Sequence, residues 1–185
     1  MTTRDHDRIV ADTRAWLERA VIGLNLCPFA KAVHAKGQVH YAVSTNDDFA
    51  GVLEDLHAEL QALLHLPASE RDTTLLAVPR GFDDFLLFNE LVRQGDRLLA
   101  RERVQGIVQL ASFHPRFVFA GADEDDMGNF SNRAPYPTLH LLREDSMDRA
   151  VAAFPQADAI FGTNIERLRQ LGRNGWDALR VGASG

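Results

Sequence analysis

The chain is poor in the features that would assign it quickly. It has one cysteine, Cys27, in 185 residues. An intrachain disulfide is therefore excluded, and a free thiol suits a reducing compartment better than a secreted one. No window approaches the ~20 apolar residues of a membrane-spanning helix. The charged start, Met1 to Arg8, leads into no apolar signal core. Positive charge is also short: 20 Lys and Arg face 26 Asp and Glu, a formal net charge of −6. A broad cationic footprint for nucleic acid is missing. These absences predict a cytoplasmic protein with neither a membrane nor a nucleic acid as partner.

Recognisable catalytic signatures are missing as well. There is no G-x-x-x-x-G-K-[ST] to cradle phosphates, no G-x-G-x-x-G and no G-x-S-x-G, so nucleotide hydrolases, Rossmann oxidoreductases and α/β-hydrolases are not favoured. No C-x-x-C or H-x-x-x-H spacing supports a metal centre. The acidic run Asp123 to Asp126 lacks the spaced pattern of a calcium loop, and contiguous acids are usually solvated. Nothing in the sequence names a cofactor or sets an oligomeric state.

What is present is an ordinary globular composition, 45% hydrophobic and 25% charged, long enough for a single well-buried core. Apolar residues at three- and four-residue steps predict an amphipathic helix from Asp5 to Ala20, continuing to Ile22, and Pro28 opens a short helix from Phe29 to His34. Residues Gln38 to Ser44, Thr73 to Pro79 and Val104 to Ala111 read as strands. Between them lie helices carrying Phe49 to Leu64, with Ser44 or Asn46 as the cap, and Phe82 to Ala100. Strand and helix in this spacing make a βαβαβ series, for which parallel pairing is the default. A fourth strand, Thr138 to Leu142, is placed antiparallel at a sheet edge. Helices at Ser146 to Phe154 and Ala157 to Leu171 follow. The fold class is α/β: one domain over residues 5–172, helices at both ends, and residues 173–185 as a C-terminal tail.

The stretch from Phe113 to Pro137 has no clear helix. Loops longer than ~12–15 residues are uncommon in compact domains and are often functional. This one leaves the C-terminal end of a strand, where open α/β sheets place their ligand crevices.

Three elements can carry chemistry. Cys27 precedes a helix N-terminus, with Lys31 nearby, and both lower a thiol pKa. The opposing reading is a small buried hydrophobe among Leu24, Leu26 and Phe29. His114 lies just past a strand between Phe113 and Pro115, where it can act as base, shuttle or ligand, or simply hydrogen-bond within a turn. The third element is Asn132, Arg133 and Tyr136 in a segment stiffened by Pro135 and Pro137. Arg133 can hold a carboxylate or phosphate bidentately, or pin the loop by pairing with the acidic run. His140 falls within a strand pattern, where a satisfied core histidine is the commoner outcome.

Three strings are diagnostic together: GLNLCPFAK at residues 23–31, QLASFHPRF at 109–117 and NRAPYPTLHLLRE at 132–144. They resemble an uncharacterised bacterial family, a domain of unknown function, over roughly Thr13 to Leu171. The resemblance implies a compact cytoplasmic protein with a shared pocket and carries no established activity. The family pattern often has Ser where this chain has Ala134, which implies that a hydroxyl there is not essential. The motifs set Asn25, Cys27, His114, Asn132, Arg133 and His140 beside prolines and aromatics, the rigid walls and few polar groups of a ligand pocket.

The leading expectation is a small-molecule enzyme acting on an anionic substrate. Cys27 is its nucleophile and His114 its base, while Asn25, Asn132, Arg133, Tyr136 and His140 bind substrate. The alternative is a non-catalytic protein that binds a small anion or a metal complex.

Overall fold

The computed structural model describes residues 1–153 and 160–184. Helix α1 (Thr3–Trp16) opens on a capping box, in which Thr2 and Asp5 each satisfy the other's backbone amide. It passes directly into a π-helical turn, Leu17–Ile22. Helix α2 (Pro28–Ala35) starts at its proline, with Cys27 as N-cap. Then come β1 (Val39–Val43), α3 (Phe49–His65), β2 (Thr73–Ala77), α4 (Phe85–Arg101) and β3 (Val108–Phe113). A 3-10 turn, Met127–Asn132, interrupts the long excursion to β4 (Thr138–Arg143), which leads into α5 (Glu144–Ala153) and, later, α6 (Ile160–Ala178). The bounds expected at Phe154 and Ala157 lie outside the described residues. Asp48, not Ser44 or Asn46, caps α3. Ser44 is buried and bonds Asp55 at 2.5 Å.

The four strands form one mixed sheet in the order β1-β2-β4-β3. β1 and β2 pair in parallel, as a βαβ unit requires. β4 is antiparallel to its neighbours, as expected, but it lies between β2 and β3 and not at an edge. Burial explains the difference. Thr138, Leu139, Leu141 and Leu142 of β4 are each at most 5% exposed, whereas β1 and β3 are mostly half-buried. A run this apolar is stable only when covered on both faces and flanked on both sides.

The sheet is covered by helices on both faces. On one side, α3 and α4 pack Leu56, Leu60, Leu63, Phe88 and Leu91 against Leu76, Leu139 and Leu141. Each fully buried leucine there contributes about 2 kcal/mol of transfer free energy. On the other side lie α1, the π-turn, α2 and α5. Their Trp16, Val21, Phe29 and Val33 meet Val39, Leu75, Phe113 and Leu142. Strand alternation thus puts Leu75 and His140, which are register partners, on the second face.

Residues 173–184 are not a free tail. After a break at Gly172 (φ 65°), the last turn of α6 carries Trp176 back into the α1 core, and Val181 is buried at 5%. Ser184 donates to Asp12 of α1. Among the described residues no helix is long and apolar enough to cross a membrane.

Candidate functional site

His114 is wholly buried, and both ring nitrogens are committed to backbone. Nδ1 accepts from the Arg116 amide at 3.0 Å, which leaves Nε2–H to donate to the Phe82 carbonyl, also at 3.0 Å. The ring packs between Phe85 and Phe88, on the α4 side of the sheet. Burial pushes its pKa down, with the Phe82 carbonyl opposing. It is a neutral ring that joins the excursion after β3 to the segment before α4.

Cys27 is on the other face. It lines a small apolar cavity between α1, α2 and the sheet, with Trp16, Val33, Leu75, Phe113 and His140 among the walls. The structure therefore does not bring Cys27 and His114 together; the histidine that shares a cavity with the thiol is His140. Burial raises the Cys27 pKa, outweighing the opposing pull of the Ala30 and Phe29 amides at the start of α2. The thiol makes no hydrogen bond to His140 or to any other side chain among the described residues. A nucleophile in contact with its base is thus not formed.

Arg133 occupies a different place. Its Nε donates to the Phe117 carbonyl at 3.2 Å and one Nη to the Glu124 carbonyl at 2.8 Å, so two of its five N–H donors secure the excursion. The guanidinium lies 4.2 Å over the Phe130 ring and faces an open cleft of about 430 Å³. Arg173 lies 5.5 Å from the same ring, and Arg180 stands at the same cleft beside Trp176. Asp177 is the carboxylate of the group, 3.2 Å from Arg173. Both partners of that ion pair are exposed, so it is worth roughly 0–1 kcal/mol and leaves Arg173 available. The Arg180 side chain makes no hydrogen bond or ion pair among the described residues. Burial and the neighbouring Arg173 both lower the Arg133 pKa, in that order. Phe130, Ala134, Pro135 and Trp176 make up much of the apolar part of the cleft's lining.

Two other expected binding residues, Asn132 and Tyr136, are fasteners. The Asn132 side chain donates to the Ser112 carbonyl at 3.3 Å and accepts from Ser131, while its own carbonyl takes the His114 amide. Tyr136 donates to Asp12 at 2.7 Å, an interaction that helps raise its pKa alongside burial. Asn25 is exposed at φ 52°, a left-handed conformation that asparagine tolerates, and its carbonyl accepts from Arg167. The acidic run is also in use: Asp126 caps the 3-10 turn and pairs with Arg169 at 2.6 Å. Among the described residues no group of three His, Cys, Asp or Glu is placed to hold a metal ion.

Arg173, Trp176 and Arg180 are the residues that sequence reasoning missed. Arg173 and Trp176 stand three residues apart near the end of α6, which puts them on one side of the helix, and Arg180 follows just past its end in a left-handed conformation. That signal lay inside the segment taken as a tail.

The two sites share a wall. Trp16 borders the thiol cavity, and its indole N–H donates at 2.8 Å to the carbonyl of Arg133 at the cleft. The fold and sites define a three-layer α/β protein with an arginine-lined surface cleft and, behind it, a small apolar cavity. The chain belongs to the family described as Protein of unknown function (DUF1415), whose model matches residues 8–178. No curated protein and no solved structure matches it.

Proposed function

We propose that this protein binds a small organic anion, a carboxylate or phosphate attached to a flat apolar group, in the arginine cleft. The observation that carries this reading is the convergence of Arg133, Arg173 and Arg180 on one cleft with a single opposing carboxylate, Asp177. Guanidinium forks suit carboxylate and phosphate oxygens, and each charge-assisted bond contributes about 1.5–3 kcal/mol. Stacking on Phe130 holds two of the three guanidiniums in place, which lowers the entropy lost on binding. The half-buried Trp176 offers aromatic surface to an apolar substituent.

This is the non-catalytic alternative among the two expectations. Thiol catalysis by Cys27 and His114 is not part of it, because the His114 nitrogens are spent on backbone. Thermal melting in the presence of benzoate, phenyl phosphate or neutral benzyl alcohol tests the proposal. The two anions are expected to raise Tm further with each tenfold increase in ligand concentration above Kd, the alcohol is not, and Arg180→Ala should weaken the shift. Equal shifts from all three compounds would refute recognition of charge.

A further inference from the structure

His140 lines the cavity behind Cys27, and one of its ring nitrogens has no hydrogen-bond partner among the described residues. The residue is half-buried. Thr73 Oγ1 lies 2.6 Å from His140 Nε2 and 2.8 Å from the Leu141 carbonyl. A carbonyl only accepts, so the single hydroxyl proton goes to Leu141. The Thr73 oxygen must then accept from Nε2–H. This leaves Nδ1 as the ring's unprotonated nitrogen, a lone-pair acceptor with no partner among the described residues. Among the described residues Tyr41 Oη is the buried side-chain atom without a partner or solvent access, whereas His140 Nδ1 is reachable.

The rest of the lining is almost all carbon and sulfur: Trp16, Val21, Phe29, Leu75, Phe113 and the Cys27 thiol. No charged side chain lines it. The cavity measures about 50 Å³, space on the order of four water molecules. Water would be poorly held, since a buried water needs two to four polar partners and this site provides one free strong acceptor.

We propose that this cavity is a binding site for a small uncharged molecule, on the order of five heavy atoms, with an apolar body and one N–H or O–H donor directed at His140 Nδ1. Such a ligand satisfies the orphaned acceptor and lies against the Cys27 sulfur and the aromatic walls. Anions are excluded because no cation lines the site, and cations because nothing compensates their desolvation. The site is separate from the arginine cleft, so it stands or falls independently of the anion proposal.

Pyrrole and furan are near-isosteric five-membered rings that differ in the N–H donor, and they test the proposal directly. Titrating each into protein labelled with ¹⁵N-histidine reports on the His140 Nδ1 resonance. Pyrrole is expected to saturate, to shift Nδ1 as a lone pair does on accepting a hydrogen bond, and to bind about fivefold more tightly than furan. Filling the space with Cys27→Leu should abolish both titrations, and His140→Phe should erase the preference for pyrrole while leaving furan binding in place. If His140→Phe fails to fold, the Cys27→Leu result and the Nδ1 shift still decide the matter. An Nδ1 resonance unmoved by saturating pyrrole, or equal affinities for the two rings, would overturn it, as would occupancy by water alone in crystals soaked with pyrrole.

Discussion

Acidification from about pH 7 to about pH 5 is expected to cost the fold about 2 kcal/mol through His140 alone. Desolvation in the core pushes its pKa from the ordinary 6.5 down to about 3. Between those two values the unfolded chain binds a proton that the folded protein refuses. The stabilisation is therefore complete above 6.5 and is lost progressively as pH falls towards 3. Over the interval from pH 7 to 5 the folded ring stays neutral while the unfolded one becomes almost fully protonated, which integrates to about 2 kcal/mol. The assay is urea unfolding of wild type and His140→Phe at both pH values. Phenylalanine keeps an aromatic ring in the wall, and Thr73 retains its donor bond to Leu141, so no buried donor is orphaned. The variant should lose about 2 kcal/mol less than wild type on acidification, because every other titrating group, His114 included, is common to both proteins. Identical pH dependence in the two proteins would refute the reasoning.

Three further outcomes follow from the same geometry. His114→Phe leaves the Phe82 carbonyl and the Arg116 amide unpaired and is expected to cost about 2–4 kcal/mol in urea unfolding, with anion affinity unchanged; loss of binding without loss of stability would contradict a purely structural role. Native Cys27 should react with a bulky aromatic disulfide about 100-fold more slowly than in denaturant, since its thiol pKa is raised and its cavity is too small for the reagent. Arg133→Lys keeps the charge but loses the fork, so anion affinity should drop about tenfold, and amide exchange across residues 117–124 should quicken as the Phe117 and Glu124 carbonyls are released.

Much of the fold could be read from periodicity. Thr73–Ala77 is a fully covered strand, as the apolar run that starts at Leu75 implies, and the α3 stripe of Val52, Leu56, Leu60 and Leu63 is buried where a helical period places it. The place of β4 was not legible, although its near-continuous apolar run carried the clue. Strand order depends on how residues 114–137 return, and that path is set by tertiary fasteners such as His114 and Asn132, not by local preference. The site was legible in part. Arg133 was found by its stiffened, proline-flanked segment, and Cys27 and His140 by their motifs. Which histidine faces the thiol was not, since strand alternation settles it only once the register of β3 and β4 is known. Arg173 and Arg180 were hidden because the break at Gly172 folds the end of the chain back onto Phe130, a contact between residues more than 40 positions apart.

Isothermal titration of phenyl phosphate into wild type and an Arg173→Ala/Arg180→Ala double variant bears most directly on the arginine cleft. Neither guanidinium has a fold-securing side-chain bond of its own beyond the exposed pair to Asp177, so the variant should retain the wild-type stability. The account predicts one site per chain in wild type, weakening as salt rises, and an affinity about 100-fold lower in the double variant. Equal affinity in the two proteins, or no binding heat in wild type at low salt, would contradict it.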